Sequence, residues 1–407
     1  MPRARIAAIL LLGQGLGRGS QAVYAVLMVR ELTERGYGDL AYVLAIAGIV
    51  VMVGDLGISR LVVRDVSRAE DRSALALELL HVRAIGVVGV AVAFALSGFA
   101  GTLPEGAGLM LAAVGYVIAE GLAYGYESAA VGVERPELFA GVQAFGGVAV
   151  FVAAAVVLAQ DSVTPAAAAA GLAAASGMKV AAHRVVWRRR GSAARSLREL
   201  PVRRWLREAL PFLALAILGA VFYRFGIVIL HVIRGPSETA PFAAAMRVFD
   251  AVALLGGVGF AAVSPAISRI HRERPEDLWA IWRKMVGVTA CVGAPAAIAL
   301  ILFAEPVAGA IFGERYSDSA GTALALLAPG MALAVLQNLN ASLVFMSDDR
   351  GGLVALTFIN VVLLVGVVSL LALTNGSAGA AAGTSLAELW SFAVFSILIY
   401  HRHGRRA

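Results

Sequence analysis

Apolar runs dominate the chain, and polar positions fall mostly between them. Stretches of about 20 apolar residues, the length that crosses a hydrocarbon core as a helix, recur along its length. Twelve of them are centred in 6–29, 39–59, 79–100, 107–126, 138–159, 164–183, 209–230, 241–263, 285–304, 320–345, 352–373 and 378–400. The pattern predicts an all-α integral membrane protein of about 12 transmembrane helices. Two places are least sharply drawn: the Ala-rich sixth segment, Pro165 to Ala182, and the division of the ninth from the tenth around Phe312-Gly313-Glu314-Arg315-Tyr316. The longest connection, about Arg184 to Glu208, is basic and separates two groups of six. The expected organisation is therefore a six-helix lobe over 1–183, a linker over 184–208 and a second six-helix lobe over 209–407.

Composition agrees with the pattern. Hydrophobic residues are 60%, charged residues 15% and the mean hydropathy is +0.82, values foreign to a soluble chain of 407 residues. Positive charge then orients the spans, because cytoplasmic loops keep lysine and arginine. With the N-terminus inside, 25 of the 34 Lys and Arg fall in inside segments, four fall outside (Arg30, Arg35, Arg234 and Arg315) and five lie in or near helices. Both termini are expected to be cytoplasmic. The same asymmetry accounts for the net charge of +7 through anionic lipid headgroups, without a nucleic-acid partner.

Several chemistries are missing from the pattern. The single cysteine, Cys291, lies in an apolar segment, and no His/Cys metal spacing, P-loop or hydrolase elbow occurs. The opening Met1-Pro2-Arg3-Ala4-Arg5 leads into an apolar run that Gln14 and Arg18 interrupt, so it reads as a first spanning helix and not as a cleaved leader. Extramembrane loops are short. Function is expected within the bilayer.

Among the charged residues inside predicted spans, three arginines are singled out: Arg18, Arg224 and Arg247. An arginine at a helix centre costs roughly 2.5–3.5 kcal/mol on insertion scales, so three cost on the order of 8–10 kcal/mol unless they face water or a counter-charge. An interior that keeps them points to an anionic ligand. Each also has a quieter reading. Asp250 follows Arg247 at helical spacing and would pair with it, Arg224 would snorkel to an interface, and Gln14, Arg18 and Gln21 form a stripe that either lines a cavity or bonds to another helix.

Further candidates sit elsewhere. Tyr116, Glu120, Tyr124 and Glu127 share one face of the fourth helix, where rings and carboxylates would bind sugar or pack between helices. Asp55, between Gly54 and Gly57, marks a bend or gate at the inner rim, and Glu388 in the last helix is a candidate counter-ion or proton site. Asn338, Asn340 and Asn360 read as interhelical hydrogen bonders, while Gly86, Gly89, Gly256, Gly257, Gly259, Pro211, Pro295 and Pro329 would bend the helices. The halves echo each other. Each has an arginine in its first helix, and each second helix ends in Ser-Arg with more basic residues following (Ser59-Arg60…Arg64 and Ser268-Arg269…Arg272), which implies a parallel repeat about the membrane normal.

Local motifs resemble one family over nearly the whole chain. They are Arg30-Glu31-Leu32…Tyr37-Gly38-Asp39-Leu40-Ala41-Tyr42; Gly54-Asp55-Leu56-Gly57-Ile58…Leu61-Val62-Val63-Arg64; and Gly125-Tyr126-Glu127…Gly132-Val133-Glu134-Arg135-Pro136. The second half adds Phe242-Ala243-Ala244-Ala245-Met246-Arg247-Val248, Val263-Ser264-Pro265-Ala266-Ile267-Ser268-Arg269, Ile311-Phe312-Gly313-Glu314-Arg315-Tyr316…Ala320 and Gly376-Ser377-Ala378-Gly379-Ala380-Ala381. In this order they resemble the lipid-linked oligosaccharide flippases of polysaccharide biosynthesis, within the multidrug/oligosaccharidyl-lipid/polysaccharide (MOP) exporter superfamily. One departure matters. Where the family often has an acidic residue after the aromatic-arginine pair of helix seven, this chain has Tyr223-Arg224-Phe225-Gly226.

The resemblance implies a MOP/MATE-like fold and a flippase, not an enzyme, that carries an undecaprenyl-diphosphate-linked glycan to the outer leaflet of a bacterial inner membrane by alternating access. Arg18, Arg224, Arg247, Gln14, Tyr124 and Glu120 would then bind the substrate in a cationic cavity, with Asp55 and Glu388 in gating or coupling. Its partners would be the polyprenyl-diphosphate glycan, membrane lipids and the glycan polymerase or ligase machinery. No cofactor is implied. A proton or sodium gradient, or consumption of the product outside, would drive the cycle. The rival functions are a drug or cation exporter of the same superfamily, a glycan polymerase or ligase, and a scaffold of glycan assembly.

Overall fold

The computed structural model describes residues 3–67, 69–98, 106–188, 201–273, 277–345 and 350–401. The centre of the expected basic linker, 189–200, and Arg68, Arg274, Arg402, Arg405 and Arg406 lie outside the described residues. All regular structure among the described residues is helical. In chain order it comprises α1 (Arg3–Glu31), α2 (Glu34–Gly54), α3 (Ile58–Leu61) running into a π-helical turn (Val62–Val66), α4 (Arg72–Ser97), α5 (Ala107–Gly132), α6 (Pro136–Leu158) and α7 (Pro165–Arg188). Then follow α8 (Val202–Arg234), α9 (Pro236–Glu273), α10 (Asp277–Leu302), α11 (Ala304–Phe312), a 3₁₀ turn (Glu314–Tyr316), α12 (Ser317–Phe345) and α13 (Arg350–Ile399). Each of the twelve apolar segments falls on one of these helices, and among the described residues eight helices have the length and composition to cross a membrane. The chain is a multi-pass membrane protein.

Polar caps start the helices where the apolar runs begin. Thr33 Oγ1 accepts the Gly36 N–H at 3.1 Å to open α2, and Asp71 Oδ1 accepts the Ala74 N–H at 2.9 Å to open α4. Pro136 opens α6, where its missing N–H and fixed φ suit the first turn. The ninth and tenth segments are separated by more than a loop: α11 and the 3₁₀ turn occupy the interval.

The chain forms two compact units, 1–228 and 229–407, whose division falls inside α8. In the first unit α1 packs on α6, α5 on α7 and α4, and α2 on α4 and α5. In this unit a small core of Ile58, Val62, Val66, Leu79, Val82, Ala129 and Trp187 holds the turn after α2. That turn needs a glycine. Leu56 and Gly57 are both left-handed, at φ 52° and 72°, and a Cβ on Gly57 would stand 2.7 Å from the backbone N of Leu213 in α8. Left-handed backbone alone costs an L-residue about 1–2 kcal/mol, and here α8 leaves no room to relax. Gly57→Ala is therefore expected to lower the thermal stability of the detergent-purified protein; an unchanged Tm would contradict this turn.

In the second unit α12 packs on α9, α10, α11 and α13. α13 is a hairpin, because Asn375 (φ −123°, ψ 16°) and Gly376 (φ 56°, ψ −133°) break its helical course between the predicted spans. The arms run antiparallel, with Gly383 against Val368 and Asn360 Nδ2 3.5 Å from Ser391 Oγ. The reversal is clamped by charge. Arg234 donates to the last carbonyls of the first arm, Ala372 O at 3.2 Å and Thr374 O at 3.3 Å, while Glu238 accepts the Ser377 N–H of the second at 3.0 Å. A cation at a helix C-terminus and a carboxylate at an N-terminus both match the local dipole.

Candidate functional site

On α1 three faces separate. Gly13, Ser20 and Tyr24 are buried against the first unit, Leu12, Leu16 and Val23 are exposed apolar side chains, and Gln14, Arg18 and Gln21 make a polar face. At 3.6 residues per turn the polar face lies roughly half a turn from Leu12, Leu16 and Val23. Arg18 is exposed on that polar face, between half-buried Gln14 and Gln21, and is close enough to act electrostatically on Glu127.

The α5 stripe divides between two buried cations, neither of which stood out in the sequence. Lys179 of α7 reaches Glu120 at 3.2 Å and Glu127 at 3.4 Å, with the lysine side chain 7% exposed. Ser176, one turn earlier on α7, donates to Glu120 Oε2 at 2.6 Å. Tyr124 instead lies under Arg83 of α4, whose Cζ stands 5.2 Å from the ring centroid, within cation–π range. Tyr116 is half-buried on the same helix.

Arg83 also holds Asp55. Its Nε donates to Asp55 Oδ1 at 2.5 Å, its Nη1 donates to the Gly121 carbonyl, and Ser59 Oγ donates to Asp55. The side chains are 1% and 5% exposed, so this pair is a buried tie of α2 to α4 and α5. Asp55 ends α2 immediately before the left-handed turn.

Arg224, on α8 in the first unit, is half-buried. In the second unit half-buried Arg247 lies 3.7 Å from Asp250, a loose intrahelical pair. Glu388 is 1% exposed, and neither carboxyl oxygen forms a hydrogen bond with the described residues. In the π-helical turn of the first unit Arg64 bonds Asp65 at 2.5 Å and Glu208 at 2.8 Å. The bond to Asp65 raises the Arg64 pKa above the guanidinium norm, burial opposes it, and the bond to Glu208 adds a smaller upward effect. Among the described residues no group of His, Cys, Asp and Glu has the arrangement of a metal centre.

The family model for polysaccharide biosynthesis proteins matches residues 4–271. No curated protein sequence matches. Solved structures of similar fold include a multidrug resistance MATE family transporter of the MOP superfamily in an inward-facing conformation, at 16% identity, 98% coverage of both chains and a TM-score of 0.72. A point mutant of the Vibrio cholerae MATE transporter VcmN gives 15% identity, coverage of 99% of this chain and 96% of its own, and a TM-score of 0.71. The lipid II flippase MurJ, inward closed, gives 10%, 96% and 87%, and 0.73. At these identities the likeness is one of fold.

Proposed function

Because the chain belongs to the polysaccharide biosynthesis protein family, whose fold here is shared with MOP transporters and flippases, we propose that it moves a polyprenyl-diphosphate-linked oligosaccharide across the bacterial inner membrane to the outer leaflet. The observation that carries this reading is the placement of Arg18. It is exposed, and it sits on the face of α1 opposite the exposed apolar side chains, as a cation turned to water within the membrane would be.

The chemistry fits the headgroup. A diphosphate joined to sugars does not cross hydrocarbon unaided, and a guanidinium gives phosphate two parallel charge-assisted hydrogen bonds without losing its proton. Arg18 and Gln14 bind the diphosphate, Arg224 supplies further charge, and Glu120 and Tyr124 border the sugars. The lipid tail remains in the bilayer throughout. Lys179 and Arg83, already neutralised by carboxylates, set the shape of the site and leave Arg18 exposed.

Translocation of labelled undecaprenyl-diphosphate oligosaccharide in proteoliposomes tests the proposal. Arg18→Ala is expected to slow transport by about 10–100-fold, the equivalent of a charge-assisted bond of about 1.5–3 kcal/mol, and Arg18→Lys to fall between it and wild type because the charge stays and the fork goes. Full transport by Arg18→Ala and Arg224→Ala alike would refute the cationic site. Extrusion of organic cations with no movement of any glycan would assign the chain to drug export instead.

A further inference from the structure

The first turns of α8 divide into three faces. Val202, Trp205 and Ala209 share one of them at helical spacing, and it is fixed to the first unit. Val202 and Trp205 pack on the small core that also receives Trp187 from α7. Ala209 is buried, and its carbonyl oxygen would stand 2.5 Å from a Cβ on Gly57. On a second face Glu208 accepts from Arg204 and from Arg64, each at 2.8 Å, while Arg64 also holds Asp65. Two guanidiniums and two carboxylates thus close a neutral network.

The third face is left with charge. Arg203 and Arg207 lie one turn apart on it, both exposed, and neither side chain is paired among the described residues. Like charges at this spacing repel, and the neighbouring sequence does not relieve them, since 189–200 carries four arginines against one glutamate. Beside the pair stand Leu206 and Leu210, 36% and 61% exposed. The apolar span of this helix begins at 209, so the two guanidiniums sit where hydrocarbon gives way to headgroups. An unbalanced cationic pair bordered by exposed leucines matches one kind of molecule, a phosphate joined to hydrocarbon.

We propose that Arg203 and Arg207 bind the phosphate of an anionic phospholipid, in the leaflet where α8 begins, with its acyl chains against Leu206 and Leu210. The lipid supplies the charge that the chain does not. Because the same two turns of α8 meet Gly57 and Arg64 on their other faces, the bound lipid steadies α8 against the turn after α2. It is a resident of the bilayer and not the cargo, so the site stands or falls independently of the flippase reading.

Native mass spectrometry of the full-length protein in detergent, titrated with phosphatidylglycerol or with zwitterionic phosphatidylcholine, reads the site. The wild type is expected to retain one phosphatidylglycerol in preference to phosphatidylcholine. Arg203→Gln and Arg207→Gln should each weaken it about 5-fold and the double variant about 25-fold, as expected for two guanidiniums near a headgroup. Phosphatidylglycerol should also raise the Tm of the wild type and not that of the double variant. Both side chains are exposed, so the variants are expected to fold; size exclusion checks this, and either single variant suffices if the double does not. Arg72→Gln/Arg135→Gln removes equal charge from arginines already paired with carboxylates and should bind like wild type. Equal weakening in that control would make the effect one of net charge and overturn the site, as would equal retention of the two lipids by the wild type. Equal stabilisation by soluble glycerol phosphate would overturn the lipid assignment in favour of a free anion.

Discussion

Arg83→Ala is expected to destabilise the protein by about 3–5 kcal/mol, and Asp55→Ala by a similar amount, because each leaves the other charge buried without its partner. The burial is nearly complete at 1% and 5% side-chain exposure. Arg83 has no short route to water: its guanidinium is held at once by Asp55, by the Gly121 carbonyl and by the Tyr124 ring. The two costs should not add. With both charges removed, as in Asp55→Leu/Arg83→Met, an apolar pair of similar bulk replaces ions that gain little net stability from burial, and much of the loss should return. A double-mutant cycle read by detergent melting measures this coupling. An additive double mutant would mean that the two side chains act independently, contrary to the 2.5 Å contact between them.

Hydropathy found the helices of this protein because the bilayer forces long apolar runs, and all twelve runs lie on helices. The short α11 escaped it for the same reason: nine residues cannot cross a membrane, so Ala304–Phe312 leaves no signal at that length. Motifs carried finer information where backbone demands a particular residue. Gly57 and Gly376, both inside quoted motifs, occupy positive-φ turns that terminate or reverse a helix. Charge was harder to read. Arg18 stood out as an arginine with polar neighbours at helical spacing, whereas Arg83 and Lys179 find their partners 28, 52 and 59 positions away. Spacing along one helix cannot reveal such pairs. A balance of interior charges would have pointed to them, since Asp55 and Glu120 are also in predicted spans, with Glu127 one position beyond, and call for cations. The α5 stripe was legible as a shared face, but its division between a lysine and an arginine depends on which helices flank it.

Lys179→Met is expected to have the second large effect, and its consequences should extend to transport. Removing the ammonium leaves Glu120 and Glu127 without the cation 3.2 and 3.4 Å away, at side-chain exposures of 20% and 11%. Breaking a buried pair in this way costs about 3–5 kcal/mol, and Ser176 remains as a neutral donor to Glu120 alone. Arg18 is the charge that responds. It already acts on Glu127, and with Lys179 gone the carboxylate draws the guanidinium away from the face where the diphosphate would bind. Transport in proteoliposomes should then fall further than the amount of folded protein explains. Glu127→Gln in the same chain removes the competing charge, so the double variant should recover both Tm and transport in part, while Lys179→Arg should keep both near wild type. If Lys179→Met lowers transport only in proportion to folded protein, and Glu127→Gln restores nothing, then the lysine serves stability alone and Arg18 does not depend on it.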